Sequence, residues 1–184
     1  MRNAVTGLAL CLAPALATAQ SVRVREAALA RIPLAQSIVT DPEILTALRA
    51  KNSAGETQEE IQRKDREWVQ NPLFPLRKTL SENSCAQRLR ELTKSDANVV
   101  EVILMDRNGA NVCISKVTSD YWQGDEAKFQ KTFEAGKPIF VDEPAFDEST
   151  AVYSIQVSIL VSDGSAKVGA LTVGLRVKKQ ELEK

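Results

Sequence analysis

The chain contains no histidine. That removes the commonest zinc ligand set, imidazole general bases and histidine-ligated haem together. It has no surplus of either charge, with 24 basic and 24 acidic residues, so nothing draws it to nucleic acid or to an anionic membrane. No Cys-His pair, Ser-His-Asp set or phosphate-binding glycine loop is present. Internal repeats and low-complexity linkers are also absent. Beyond the N-terminus no apolar run approaches the roughly 20 residues that span a bilayer. The carboxylate pairs Asp142/Glu143 and Asp147/Glu148 share one acidic loop, with no reason for their pKa values to split as acid-base catalysis requires. A catalyst is therefore not expected, and neither a metal nor a cofactor.

The first 19 residues read as an export signal. Arg2 gives a positive start, Ala4 to Leu16 a short apolar run, and Ala17-Thr-Ala19 a small-x-small cleavage site before Gln20. Cys11 follows Leu10, where a lipoprotein signal wants a small residue, so cleavage to a soluble product is the expectation. The remaining chain, 20–184, suits one domain with a real core. The expected compartment is a bacterial periplasm. Cys85 and Cys113 either pair there, as an oxidising compartment favours, or stay apart. The second outcome would follow if Cys85 lies on a helix over the greasy sheet face and Cys113 on the small, polar side.

The N-terminal part, 20–97, is helical in pattern. Pro33 should interrupt the helix over Gln20–Thr40. Asp41-Pro-Glu43 reads as N-cap, first helical position and first-turn acid. Thr57-Gln-Glu-Glu60 fits a capping box before a charged helix over Glu59–Val69, in which Asp65 and Trp68 serve local packing and capping. Another helix covers Leu76–Thr93, with a break near Asn83-Ser84. From Val99 the period becomes two, and the sheet part runs over 98–178. Val99–Met105 and Ala110–Val117 flank an Asn108-Gly109 hairpin turn. A loop and helix fill Thr118–Gly136, Pro138–Val141 is a short strand, and Asp142–Thr150 is an acidic loop.

A long hairpin follows, AVYSIQVSILVSDGSAKVGALTVGLRV over 151–177, around Asp163-Gly164. Ile155, Val157 and Ile159 share a face, as do Leu171, Val173 and Leu175. The opposite face is small or polar. It carries Ser154, Gln156 and Ser158 on one strand, Ala170, Thr172 and Gly174 on the next, and Asn111, Cys113 and Ser115 on a third. The expected class is α+β, with helices covering the greasy face of an antiparallel sheet.

Several blocks resemble the extracytoplasmic PAS-like sensor domains known as Cache or PDC domains. They are Ile61-Gln-Arg-Lys-Asp-Arg-Glu-Trp68, Leu104-Met-Asp-Arg-Asn-Gly109, Thr118-Ser-Asp-Tyr-Trp-Gln-Gly-Asp-Glu-Ala127, Phe140-Val-Asp-Glu-Pro-Ala-Phe-Asp-Glu-Ser149, Tyr153-Ser-Ile-Gln-Val-Ser158 and Val168-Gly-Ala-Leu-Thr-Val-Gly174. The resemblance covers about residues 25 to 178. It implies a five-stranded antiparallel sheet with a long N-terminal helix, and a small-molecule pocket between the other sheet face and the loops. Most such domains sit between two membrane spans. This chain shows no spans and resembles a free-standing periplasmic member.

The small, nearly uncharged sheet face leaves room for a ligand, with Ser154, Gln156, Ser158 and Thr172 to orient it. A plain solvated face would carry Lys, Glu and Arg. Tyr121 and Trp122 offer aromatic area with polar tips. A cationic ligand would suit these rings together with Asp142, Glu143 or Asp147. A carboxylate would need Arg107, Lys116 or Lys128. Tyr153 and Gln156 face opposite sides of a regular strand, which favours Gln156 for the pocket. The expected function is binding of a small polar metabolite without chemistry, signalling through a membrane partner. The alternative is a protein-interaction module with no small ligand, dimerising through the helix over Val22–Val39.

Overall fold

The computed structural model describes residues 22–147 and 152–178, Asp147 by its backbone alone. The expected export signal, Cys11 and Glu148 lie outside the described residues.

Helices α1 (22–29), α2 (Ile32–Val39) and α3 (Pro42–Ala54) open the chain. The first break falls at 30–31, and Pro33 sits in the first turn of α2, where a missing N–H costs nothing. Asp41 starts α3 by accepting the N–H groups of Glu43 and Ile44. Gly55 ends it in the left-handed conformation, φ +67°. The Thr57–Glu60 capping box opens α4 (Gln58–Gln70). α5 (Pro75–Glu82) and α6 (Ser84–Thr93) are separated at Asn83, whose side chain caps α6 through Ala86 N–H at 2.8 Å.

The strands are β1 (Val99–Asp106), β2 (Asn111–Ile114), β3 (Ile139–Val141), β4 (Ala145–Asp147), β5 (Val152–Asp163) and β6 (Ala166–Arg176). A short helix α7 (Ala127–Phe129) runs on as a π turn over Gln130–Glu134. All strand pairs are antiparallel, in the order β2-β1-β6-β5-β3, with β4 also on β5. β3 and β4 share one edge of β5. Part of the expected acidic loop is thus strand β4, its backbone taken up by the first residues of β5.

The greasy face is as the alternation demands. Ile155, Val157, Ile159, Leu171, Val173 and Leu175 pack with Val102 and Leu104 under α1, α2, α3 and α6. Burying each such side chain contributes about 1.5–3 kcal/mol. A second cluster occupies part of the other face. There Ile61 and Trp68 of α4 and Leu80 of α5 meet Ile103, Met105, Ile114 and Tyr121. The helices therefore divide between both faces.

Cys113 does not lie on the small, polar side. Leu104 pairs with Cys113 but Met105 pairs with Asn111, so Val112 is an extra residue. This bulge reverses the alternation. Asn111 faces the second cluster, while Cys113 turns to the helices and is bonded to Cys85 of α6.

Candidate ligand-binding site

A cavity of about 330 Å³ opens on the polar end of the second face. Its floor is Glu101 and Ile103 of β1 with Ser154 and Gln156 of β5. One wall is the loop after β2, through Thr118, Ser119 and Gln123, with Glu126 and Lys128 at the start of α7. The opposite wall is Asp142 and Glu143 with Ala145 and Phe146 of β4.

The floor owes its shape to a glycine. Glu101 and Gln156 both pair with Gly174 of β6, from opposite sides. A Cβ on Gly174 would come within 2.6 Å of Glu101 Cγ. With none there, the Glu101 side chain lies across β6 and accepts a hydrogen bond from Gln156 Nε2 at 3.1 Å. Glu101 is 3% exposed and Ser154 4%, so the floor is polar and buried. Asp142 is anchored beside it, its N–H donating to the Gln156 carbonyl at 3.0 Å.

The loop wall is fastened from below by α4. One Asp65 oxygen accepts the N–H groups of Tyr121 and Trp122, each at 2.9 Å. Burial pushes the Asp65 carboxyl up, these two donors pull it partly back, and Asp120 and Asp125 add to the rise. Trp68 Nε1 donates to the Thr118 carbonyl at 2.9 Å. Asn111 Nδ2 donates to Thr118 Oγ1 and to the Asp120 carbonyl, both at 3.0 Å. The block from Ile61 to Trp68 and the block from Thr118 to Ala127 are thus one assembly.

Tyr121 and Trp122 belong to that assembly and are not on the cavity wall. Tyr121 is 1% exposed. Its hydroxyl donates to Glu56 and accepts from Lys51, each at 2.6 Å. Burial and the Glu56 charge push its pKa up. Glu56 itself is held by Lys51, Lys64 and Tyr121. Burial opposes its charge, but these donors win and bring its pKa down to about 2. Trp122 Nε1 donates to the Asn108 carbonyl at 2.8 Å. Its ring closes on Gly124, where any Cβ would strike the indole at 2.4 Å. Both polar tips are spent inside the protein.

The remaining expected residues divide. Ser154 and Gln156 line the cavity, whereas Ser158 and Thr172 lie deeper and bond to each other at 2.8 Å. Asp147 is placed by its backbone alone, paired with Val152, and its side chain lies outside the described residues. Of the charged alternatives, Asp142, Glu143 and Lys128 line the cavity, while Arg107 and Lys116 do not. Glu101 escaped the sequence reading, although its signal was present: a lone carboxylate inside the apolar run Val99–Met105. Thr118, Ser119 and Gln123 carried no such signal.

No family model and no curated protein matches this chain. Solved structures do match. The ligand-binding domain of the Campylobacter jejuni chemoreceptor Tlp3, in complex with 4-methylisoleucine, is 17% identical with a TM-score of 0.52. The match covers 88% of this chain and 56% of that one. The sensory domain of the same chemoreceptor gives 16% identity and 0.51, over 88% and 58%. The E. coli DcuS sensor domain gives 13% identity and 0.52, over 90% of this chain and 99% of that one. The fold is that of bacterial sensor domains. The Cache/PDC likeness therefore holds for the fold. This chain spans little more than half of the Tlp3 domains but nearly all of the DcuS domain. Among the described residues no helix is long and apolar enough to cross a membrane.

Proposed function

We propose that this protein is an exported sensor domain that binds a small polar metabolite without turning it over, and reports occupancy to a membrane partner. The observation that carries the reading is the cavity above Glu101, Ser154 and Gln156. A solvated sheet face has no use for a buried carboxylate held over a glycine, nor for a loop fastened above it by five hydrogen bonds from α4 and β2. Its volume falls at the small end of the roughly 300–1,000 Å³ usual for small-molecule sites. The likeness to sensor domains supports the same reading. No histidine exists to activate Ser119 or Ser154 as a nucleophile.

The test is a thermal-shift screen of the protein against amino acids, organic acids, amines and purines. A ligand that binds only the folded state raises the melting temperature by mass action. The shift should vanish in Ser154→Tyr, which fills the cavity floor. A folded protein that no compound stabilises would refute the binding reading and favour a module working through protein contacts.

A further inference from the structure

The hydrogen-bonding character of the cavity narrows the ligand class. Its lining holds four carboxylates, Glu101, Glu126, Asp142 and Glu143, against one ammonium, Lys128. That ammonium is 5% exposed and already paired with Glu126 at 3.0 Å. The acids come from three separate segments, β1, the approach to α7 and the β3–β4 connection, so the fold gathers them.

Among the neutral groups, Gln123 adds an open acceptor. Gln123 is 1% exposed, and its Nε2 donates to the Asp120 carbonyl at 2.8 Å. Gln156 Nε2 donates to Glu101. The Asp120 carbonyl can only accept, which fixes the nitrogen end of the Gln123 amide. The Gln123 Oε1 atom, in a side chain nine-tenths buried, then has no donor among the described residues. The buried Ser154 hydroxyl, also on the lining, can donate or accept. One N–H of each amide is engaged by a protein acceptor, while the Gln123 oxygen stays open.

We infer, on the basis of the binding reading above, that the cavity takes a small organic cation of the amine class and disfavours dicarboxylates. An ammonium brings a donor to the Gln123 oxygen, and charge to a cleft whose low-dielectric walls focus the field of its acids. A dicarboxylate would meet a lining in which carboxylates outnumber the one lysine, and that lysine is already paired with Glu126.

Putrescine and succinate test this cleanly, since both have four-carbon chains with opposite terminal charges. L-Alanine serves as the zwitterion. Calorimetric titration should give putrescine an affinity at least about tenfold above that of succinate or L-alanine, falling as salt rises. Asp142→Asn combined with Glu143→Gln should weaken putrescine by about tenfold or more. Should the double variant fail to fold, Glu143→Gln alone, at an exposed position, and the salt dependence of the wild type carry the same test. Succinate or L-alanine binding as tightly as putrescine would overturn the cation inference and leave the binding reading standing. Silence from all three probes would also overturn it. Only an equally blank metabolite screen would bring down the binding reading as well.

Discussion

Glu101 and Gln156 meet across a strand that places no side chain between them. They flank Gly174 from β1 and β5, and the carboxylate reaches over β6 to the amide at 3.1 Å. Gly174→Ala should disturb this contact selectively. The new Cβ would sit 2.6 Å from Glu101 Cγ and 2.9 Å from its Oε1. The Glu101 side chain can swing away, so the cost should stay near the low end of the about 1–3 kcal/mol usual for overpacking. In NMR spectra the Gln156 side-chain amide should move while the β6 backbone amides around Leu171, in the helix-covered core, stay put. An unmoved Gln156 signal would show that Glu101 does not lie over the glycine.

Tyr121→Phe separates a structural tyrosine from a ligand-binding one. The hydroxyl joins Glu56 and Lys51 beneath the loop, and a hydrogen bond to a charged group contributes about 1.5–3 kcal/mol. Urea unfolding should show a loss of that size, with affinity for any compound found by the screen unchanged. The reverse pattern, stability kept and affinity lost, would return Tyr121 to the ligand.

The Glu56 cluster makes stability depend on acid. The folded pKa, about 2, lies below the ordinary 4.5. A depressed carboxylate contributes stability that is complete above its unfolded pKa and lost as pH falls through the folded one. A shift of this size corresponds to on the order of 3 kcal/mol. Denaturation midpoints of wild type and Glu56→Gln should therefore differ at pH 7 and converge as pH drops from about 5 toward 2. A constant gap over that range would exclude the linkage.

The disulfide closes a separation of 28 residues between α6 and β2. Loop-closure entropy puts its contribution at about 3–4 kcal/mol. Reduction, or Cys85→Ala with Cys113→Ala, should lower urea stability by that amount. Because both sulfurs lie on the helix-covered face, affinity at the cavity on the other face should survive. Loss of binding at unchanged stability would contradict this placement.

Period-two alternation made the faces of β5 and β6 legible, and with them Ser154 and Gln156 on the cavity side. Capping chemistry placed α3, α4 and the break at Asn83 for equally local reasons. What could not be read was non-local. A one-residue bulge at Val112 reverses β2 and brings Cys113 to Cys85, but nothing in Asn111–Ile114 announces it. The adjacent rings of Tyr121 and Trp122 have the composition of a ligand cage. Only the folded chain shows their tips consumed by Glu56, Lys51 and Asn108. Lys128 was legible as a charge, not as one already paired with Glu126.

Asp65 is the residue through which α4 shapes the cavity without touching it. Its single oxygen holds two consecutive N–H groups of the loop, and the same loop presents Thr118, Ser119 and Gln123 to the cavity. Asp65→Ala leaves both N–H groups without their acceptor, at about 1–3 kcal/mol for each buried donor. Trp68 and Asn111 still tie the loop at Thr118 and Asp120, so the damage should stay local. Hydrogen exchange should accelerate at Tyr121, Trp122 and Gln123 while the β5–β6 amides remain protected. Asp65→Asn keeps an acceptor oxygen in place and should restore most of the protection. Affinity at the cavity should fall in the Ala variant and recover in the Asn variant. Equal exchange in all three proteins would mean that the loop holds itself, and that α4 has no part in forming the wall.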